Sequence, residues 1–417
     1  MRPSELISDG RFLISCRDGT NEGVKQYGRE KRYFGRGPGE DDSSRYYPAS
    51  VLIGGGYATG REIVEYGAKF GAMGWLSGLA TFVGFALVAI LSFELIRLYK
   101  VYDFKSFLKE LIGPLYHVFD LVYLLFMVII IAVMSSATGA VVEQMTGLNY
   151  WYGVGAITVI VGVLNYYGEK IISYFETIGT VLLYIGYISF SVLVISHGGA
   201  HISEVMASGD HSFVPDATVG AALWTGILYM AYNLVVFPAS FFTIKAQKSR
   251  KDTIISGIIA GLLMIIPWFM TYYAVMAFYP DKAVLASPVP WVAMMQADNA
   301  PGWLLLLFSI VMGWTLIETA TGIIHAMLER VDKGLTDTGR NPLTRQHRGA
   351  LTVIILVISV AFAKIGIIDL IAKGYNALAY AFILLYLVPL LTVGVYKIVK
   401  KSSGKEETKV IPAEIAK

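Results

Sequence analysis

The sequence predicts an all-α integral membrane protein of about ten transmembrane helices, in two inverted five-helix halves whose first helices are broken. Three observations carry this reading. The 417-residue chain is 55% hydrophobic and only 16% charged, with a mean hydropathy of +0.58; a soluble protein of this size has about a quarter charged residues. Apolar runs of membrane-crossing length recur along it. Glycines or a proline interrupt the runs at corresponding places in the two halves.

The spans are placed at 47–66, 74–98, 117–142, 150–166, 173–196, 218–240, 253–278, 302–328, 350–366 and 370–396. Of the 34 Lys and Arg, all but five (Arg61, Lys69, Lys282, Lys364 and Lys373) fall in segments that are cytoplasmic if the N-terminus is inside. Basic residues favour cytoplasmic loops, so both termini are expected inside, at the cell membrane. The layout is then a polar tail (1–45), a first repeat (46–197), an extracytoplasmic loop (198–217), a second repeat (218–397) and a cytoplasmic C-terminal tail (398–417). The tail at 1–45 lacks helical or strand periodicity, and disorder is its default reading. No apolar core behind a basic start suggests a cleaved signal peptide.

Composition also excludes functions. The net charge of +3 gives no argument for nucleic-acid binding, and Cys16, the one cysteine, excludes an internal disulfide or a cysteine metal site. No nucleotide-binding loop, Ser-His-Asp set or HExxH appears, so neither an ATP-driven pump nor an enzyme is expected. No cofactor is expected. His197 and His201 have the spacing of a metal pair, but two glycines separate them beside a loop, and no metal site is assigned there.

The first span carries Val51-Leu-Ile-Gly-Gly-Gly-Tyr-Ala-Thr-Gly-Arg-Glu62. Glycine costs roughly 1 kcal/mol per residue in a helix relative to alanine, so the helix should not run through this cluster intact. Backbone groups freed within a bilayer are tolerated only where they line a cavity or bind something. Gly54, Gly55, Gly56, Tyr57 and Ala58 are therefore expected to face a binding site, with an outer half-helix starting near Ala58 whose N-terminal dipole suits a carboxylate. Close helix packing through Gly56 and Gly60 is the structural alternative. Thr59 and Gly60 complete the stretch. Glu62 meets a substrate amine or a coupling cation, or else pairs locally with Arg61 or Lys69.

The sixth span carries the matching interruption, Tyr229-Met-Ala-Tyr-Asn-Leu-Val-Val-Phe-Pro238. Pro238 removes a backbone donor, and Tyr232 and Asn233 are candidates to line the pocket. In the eighth span Thr315, Glu318, Thr319 and Gly322 fall on one helical face. Glu318 lies deep in the span, where an ionisable group is a functional hypothesis by default. A carboxylate among hydroxyls suits Na⁺, and equally H⁺. Ser135, Ser136 and Thr138 in span three and Tyr375 and Asn376 in span ten are further candidates. Glu94 and Arg97, three apart, are read as a snorkelling pair.

The run Gly54-Gly-Gly-Tyr-Ala-Thr-Gly-Arg-Glu62 resembles the Gly-x-Gly-Phe/Tyr-Ala-Ser/Thr-Gly-x-Glu motif of YkvI-like membrane proteins, and Tyr229-Met-Ala-Tyr-Asn233 resembles that family's sixth-span motif. The resemblance extends over about residues 46 to 397. Gly55 stands where alanine is expected, and Arg61 where glutamine often stands. The family belongs to the amino acid–polyamine–organocation superfamily with its LeuT-type fold. The resemblance implies secondary transport of an amino acid or related carboxylate-bearing solute, driven by Na⁺ or H⁺. It implies a substrate site between spans one, three, six, eight and ten, and a cation held between span-one carbonyls (Ile53, Gly56) and Thr315, Glu318 and Thr319. A solute-sensing receptor and an intramembrane enzyme are the alternatives.

Overall fold

The computed structural model describes residues 55–167, 169–237, 241, 244–245 and 247–407. Ile53, Gly54, Pro238 and the N-terminal tail lie outside the described residues. The described chain is helical, without strands. Its helices are α1 (Gly55–Thr59), α2 (Arg61–Tyr66), α3 (Gly74–Tyr99), α4 (Phe104–Ile112), α5 (Tyr116–Thr146), α6 (Tyr150–Tyr167), α7 (Glu169–Ser208) and α8 (Val219–Asn233). They continue with α9 (Arg250–Met276), α10 (Lys282–Leu285), α11 (Pro290–Ala297), α12 (Gly302–Asp337), α13 (Arg345–Ala363), α14 (Ile367–Asp369), α15 (Asn376–Phe382) and α16 (Val395–Glu407).

Seven helices among the described residues are long and apolar enough to cross a membrane, and Tyr150–Tyr166 is apolar but shorter. The remaining two of the ten expected spans are the first and the sixth, the two expected to be interrupted. The protein is a multi-pass membrane protein.

Span counterparts pack on each other. α9 lies along α3, α12 along α5, and α13 along α6, so spans two and seven, three and eight, and four and nine are paired. Small residues set the closest of these approaches. A side chain at Gly257 would meet the backbone nitrogen of Ile90 at 2.8 Å, so only glycine lets α9 and α3 come this near. α8 also packs on α3, while α5, α6, α12 and α13 contact one another as a second group.

Helix extents differ from the expected spans where side chains can be satisfied outside the apolar layer. α7 runs on to Ser208, well into the stretch read as loop, and α12 to Asp337. The loop expected at 279–301 contains α10 and α11. The amphipathic α4 precedes span three; its first turn is capped by Asp103, whose carboxylate accepts from the Ser106 amide at 3.0 Å. The tenth span is interrupted by wide turns at Leu370–Tyr375, Ile383–Leu387 and Leu390–Gly394. Such π segments often mark functional positions.

Candidate functional site

Among the described residues the first span is broken at Gly60, the last glycine of the run, and not at Gly55 or Gly56. Gly55–Thr59 is helical, Gly60 has φ 76° in the left-handed region, and the outer piece starts at Arg61, three residues later than expected. The reason is steric as well as conformational. A Cβ at Gly60 would lie 2.9 Å from Trp291 Cδ1, so glycine is the residue that both accepts this φ and admits the indole. The freed groups are met locally: the Gly60 amide donates to Tyr57 O at 3.2 Å and the Arg61 amide to Thr59 Oγ1 at 3.2 Å. At the far end of α2, Ser77 on α3 donates to Tyr66 O at 2.5 Å.

The sixth span stops as a helix at Asn233. The amides of Leu234, Val235 and Val236 each bond three residues back, a tightened turn in place of a further helical one. Both expected interruptions are therefore present, and a side-chain contact joins them. The Tyr232 hydroxyl donates to Glu62 Oε2. Glu62 is only 5% exposed.

Aromatic rings from four spans surround this pair. Tyr66 and Tyr229 lie 5.3 Å from the Tyr232 ring, centroid to centroid, and Tyr375 4.8 Å. Phe126 of α5 closes the group, 5.1 Å from Tyr375. Tyr375 ends the first wide turn of span ten, which brings its ring against span six. Tyr57 adjoins the group through Tyr229, and its hydroxyl donates to Met264 O at 2.9 Å, on α9 just before Pro267.

The local ion pair with Arg61 and Lys69, the alternative role for Glu62, is made instead by Glu65. Its carboxylate bridges Arg61 at 3.1 Å and Lys69 at 2.5 Å. Residues 61, 65 and 69 follow at i, i+4 intervals, a spacing visible in the sequence. Arg61 is 5% exposed and its Nη1 also donates to Leu285 O at 2.6 Å and Ser287 O at 3.3 Å, holding the loop after α10 against α2.

The other candidates are placed less centrally. Asn233 donates its amide to Tyr229 O at 2.8 Å, within its own helix, and Asn376 does the same to Ala372 O at 2.7 Å. Thr138 and Thr315 bond back to Met134 O and Val311 O. Ser135 and Ser136 are buried on α5, the helix that gives Phe126 to the ring group. α12, which carries Thr315, Glu318 and Thr319, packs against α1 with its Gly56; Glu318 and Thr319 are half-buried. His197 lies 3.7 Å from Asp298, whereas His201 bonds Tyr279 O at 2.6 Å, so the two face different partners. Among the described residues no cluster of three or more metal-type ligands occurs. Glu94 and Arg97 pair at 2.6 Å as read from the sequence, and Thr253 donates to Glu94 at 2.9 Å.

No family model matches the chain. Its sequence is 24% identical over 348 residues to the uncharacterized protein YyaD of Bacillus subtilis (strain 168), covering 81% of this chain and 91% of that one. It is 22% identical over 308 residues to the uncharacterized membrane protein YkvI of the same organism, covering 68% and 79%. In structure it is similar to MhsT in complex with L-phenylalanine, with TM-score 0.56, 14% identity, and coverage of 88% of this chain and 99% of that one. It is likewise similar to a manganese transporter of Eremococcus coleocola (TM-score 0.57, 13% identity, coverage 84% and 78%) and to a Na⁺-coupled sialic acid symporter (0.51, 13%, 84% and 82%). The fold is LeuT-type. In this LeuT-type bundle the interrupted spans one and six meet at Glu62 and Tyr232, and spans three and ten supply Phe126 and Tyr375 around them. Sequence reasoning missed Tyr66, Phe126 and Trp291. Of these only Tyr66, one turn beyond Glu62, carried a positional signal.

Proposed function

We propose that this chain is a secondary active transporter for an amino acid or a closely related small solute bearing both an amine and a carboxylate, moved with Na⁺ or H⁺ by alternating access. The observation that carries the reading is the Glu62–Tyr232 contact at the meeting of the two interrupted spans. A carboxylate buried at membrane depth is costly and is kept where it binds or relays charge. Ringed by Tyr66, Tyr229 and Tyr375, it presents what an ammonium group needs, a counter-charge and aromatic faces. The Tyr232 hydroxyl holds Glu62 here, and a substrate amine takes its place.

The coupling cation belongs between the α1 carbonyls, including Gly56, and the face of α12 with Thr315, Glu318 and Thr319. The packing of α12 on α1 supports this, and the Thr315 hydroxyl, while donating to Val311 O, keeps lone pairs for a cation. Ile53 would join from outside the described residues. Alternating access then follows from rocking α1–α3, α8 and α9 against the group of α5, α6, α12 and α13. Membership of the YkvI-like family within the amino acid–polyamine–organocation superfamily is part of this proposal, supported by the motif at 54–62 and the similarity to YkvI.

Counterflow in proteoliposomes tests it. Labelled L-amino acids should exchange across the membrane, with uptake dependent on Na⁺ or on pH, and Glu318→Gln should remove that dependence. Binding without exchange would overturn transport; an unaltered ion response in Glu318→Gln would overturn the cation site.

A further inference from the structure

Two buried N–H donors flank Gly60 and neither has a hydrogen-bond partner among the described residues: Trp291 Nε1 and Arg61 Nε. Trp291 is fully buried. Its Nε1 lies 3.1 Å from the point where a Cβ on Gly60 would stand, so the N–H borders the break itself. The ring is fixed there by edge contacts with Tyr187 at 5.1 Å and Phe190 at 5.4 Å. Arg61 follows Gly60 in the chain. Its terminal nitrogens are engaged, Nη1 by Leu285 O and Ser287 O and Nη2 by Glu65, which leaves Nε as the one guanidinium nitrogen without a partner among the described residues.

Buried donors are almost always satisfied, because an unmet one forfeits its hydration without return. Two at one break call for a shared acceptor. The local charge says which kind. Arg61 and Lys69 share the single carboxylate of Glu65, so this flank of α2 keeps an excess positive charge and prefers an anion over a neutral acceptor. Glu62, next along α2, turns about 100° away on the helix and meets Tyr232 instead.

We propose that Arg61 Nε–H and Trp291 Nε1–H form the carboxylate pole of the solute site, opposite the ammonium pole at Glu62, so that consecutive residues of α2 read the two ends of a zwitterion. This rests on the reading above that the solute sits where spans one and six are interrupted. It assigns the carboxylate to side chains, where the glycine cluster had suggested backbone amides.

The test is ligand-dependent thermal stabilisation of the purified full chain in detergent, using L-alanine, L-leucine and L-phenylalanine and the carboxamide of each. Charge-assisted hydrogen bonds favour the acid, so the best acid should bind about 10- to 100-fold more tightly than its amide. Trp291→Phe keeps a ring and deletes the N–H, and Arg61→Lys keeps the charge and deletes Nε–H; each should bring the acid-to-amide ratio down by about tenfold or more. Equal binding of acid and amide by the native chain overturns the carboxylate pole while leaving an amine site at Glu62 intact. A preference for the acid that persists in Arg61→Lys and Trp291→Phe overturns it as well. Stabilisation by no acid and no amide overturns both this pole and the proposed solute class. Should Trp291→Phe not fold, the native ratio and Arg61→Lys decide the matter.

Discussion

Tyr232 and Glu62 are joined by a hydrogen bond that ties the end of the interrupted sixth span to the outer piece of the interrupted first. Neither half of the bundle makes this bond alone. Tyr232 is surrounded by rings and buried, so its hydroxyl has Glu62 as its polar outlet, and the carboxylate gains a donor it would otherwise have to find in water.

A double-mutant cycle measures the connection. Tyr232→Phe and Glu62→Gln should each lower the unfolding midpoint, and the double variant should lose less than their sum. The expected coupling is about 1–3 kcal/mol, the range for contacting groups in one buried polar pair. Additive losses would mean the two side chains do not interact in the membrane.

Glu65 should matter more to stability than Glu62. Glu65→Gln removes the carboxylate between Arg61 and Lys69 and leaves the Arg61 guanidinium, 5% exposed, with carbonyl acceptors only. Breaking one side of a buried pair costs about 3–5 kcal/mol. Denaturation of Glu65→Gln and Glu62→Gln side by side checks the order. A loss for Glu65→Gln no larger than the roughly 1 kcal/mol of a surface pair would refute it.

These two carboxylates show how far the sequence could be read. Period and charge placed Glu62 and Glu65 in the first span, and the glycine run announced a break. The break falls at Gly60 because a tryptophan from α11 packs there, and nothing local to residues 54–62 announces Trp291. The division of labour between the two glutamates is likewise tertiary. It depends on where Tyr232 arrives from span six, and on which side Leu285 and Ser287 approach Arg61. Polar residues were the least legible. Asn233, Asn376, Thr138 and Thr315 all drew attention as polar groups in apolar helices, and all bond back to their own helix, the cheapest partner a membrane offers them. The aromatic ring group was legible only in part: Tyr232 and Tyr375 stood out beside polar neighbours, but Phe and Tyr are frequent here, and only the fold selects Tyr66 and Phe126 to converge on them.

Asp103 gives a pH-dependent contribution outside the membrane spans. Burial pushes its carboxyl up, but the hydrogen bonds from Ser106, the charge of Lys333 and the Lys105 amide outweigh burial and hold it below the usual aspartate value. A folded value below the unfolded one means that the carboxylate stabilises fully above the unfolded value and loses its contribution as pH falls through the folded one. Asp103→Ala should cost about 1 kcal/mol at neutral pH, as for other N-caps. Denaturation of both proteins from pH 7 downward should show the gap closing only below about pH 4, where aspartate begins to titrate. A gap independent of pH would mean that the charge of Asp103 plays no part in the cap.

Gly60→Ala tests the break itself. At φ 76° a Cβ costs about 1–2 kcal/mol in backbone energy, and here it must also displace the Trp291 indole, 2.9 Å away at Cδ1. Moving Trp291 disturbs the loop that Arg61 holds, so both stability and solute exchange should fall. Gly155→Ala is the matched control. It lies in α6 with open space where its Cβ would be, and alanine improves helix propensity by up to about 1 kcal/mol. Stability in that variant should be unchanged or slightly higher, and exchange unaffected. If Gly60→Ala behaves like Gly155→Ala, the chain does not turn at Gly60, and neither the geometry of Arg61 and Trp291 nor the meeting of Glu62 with Tyr232 can be as described.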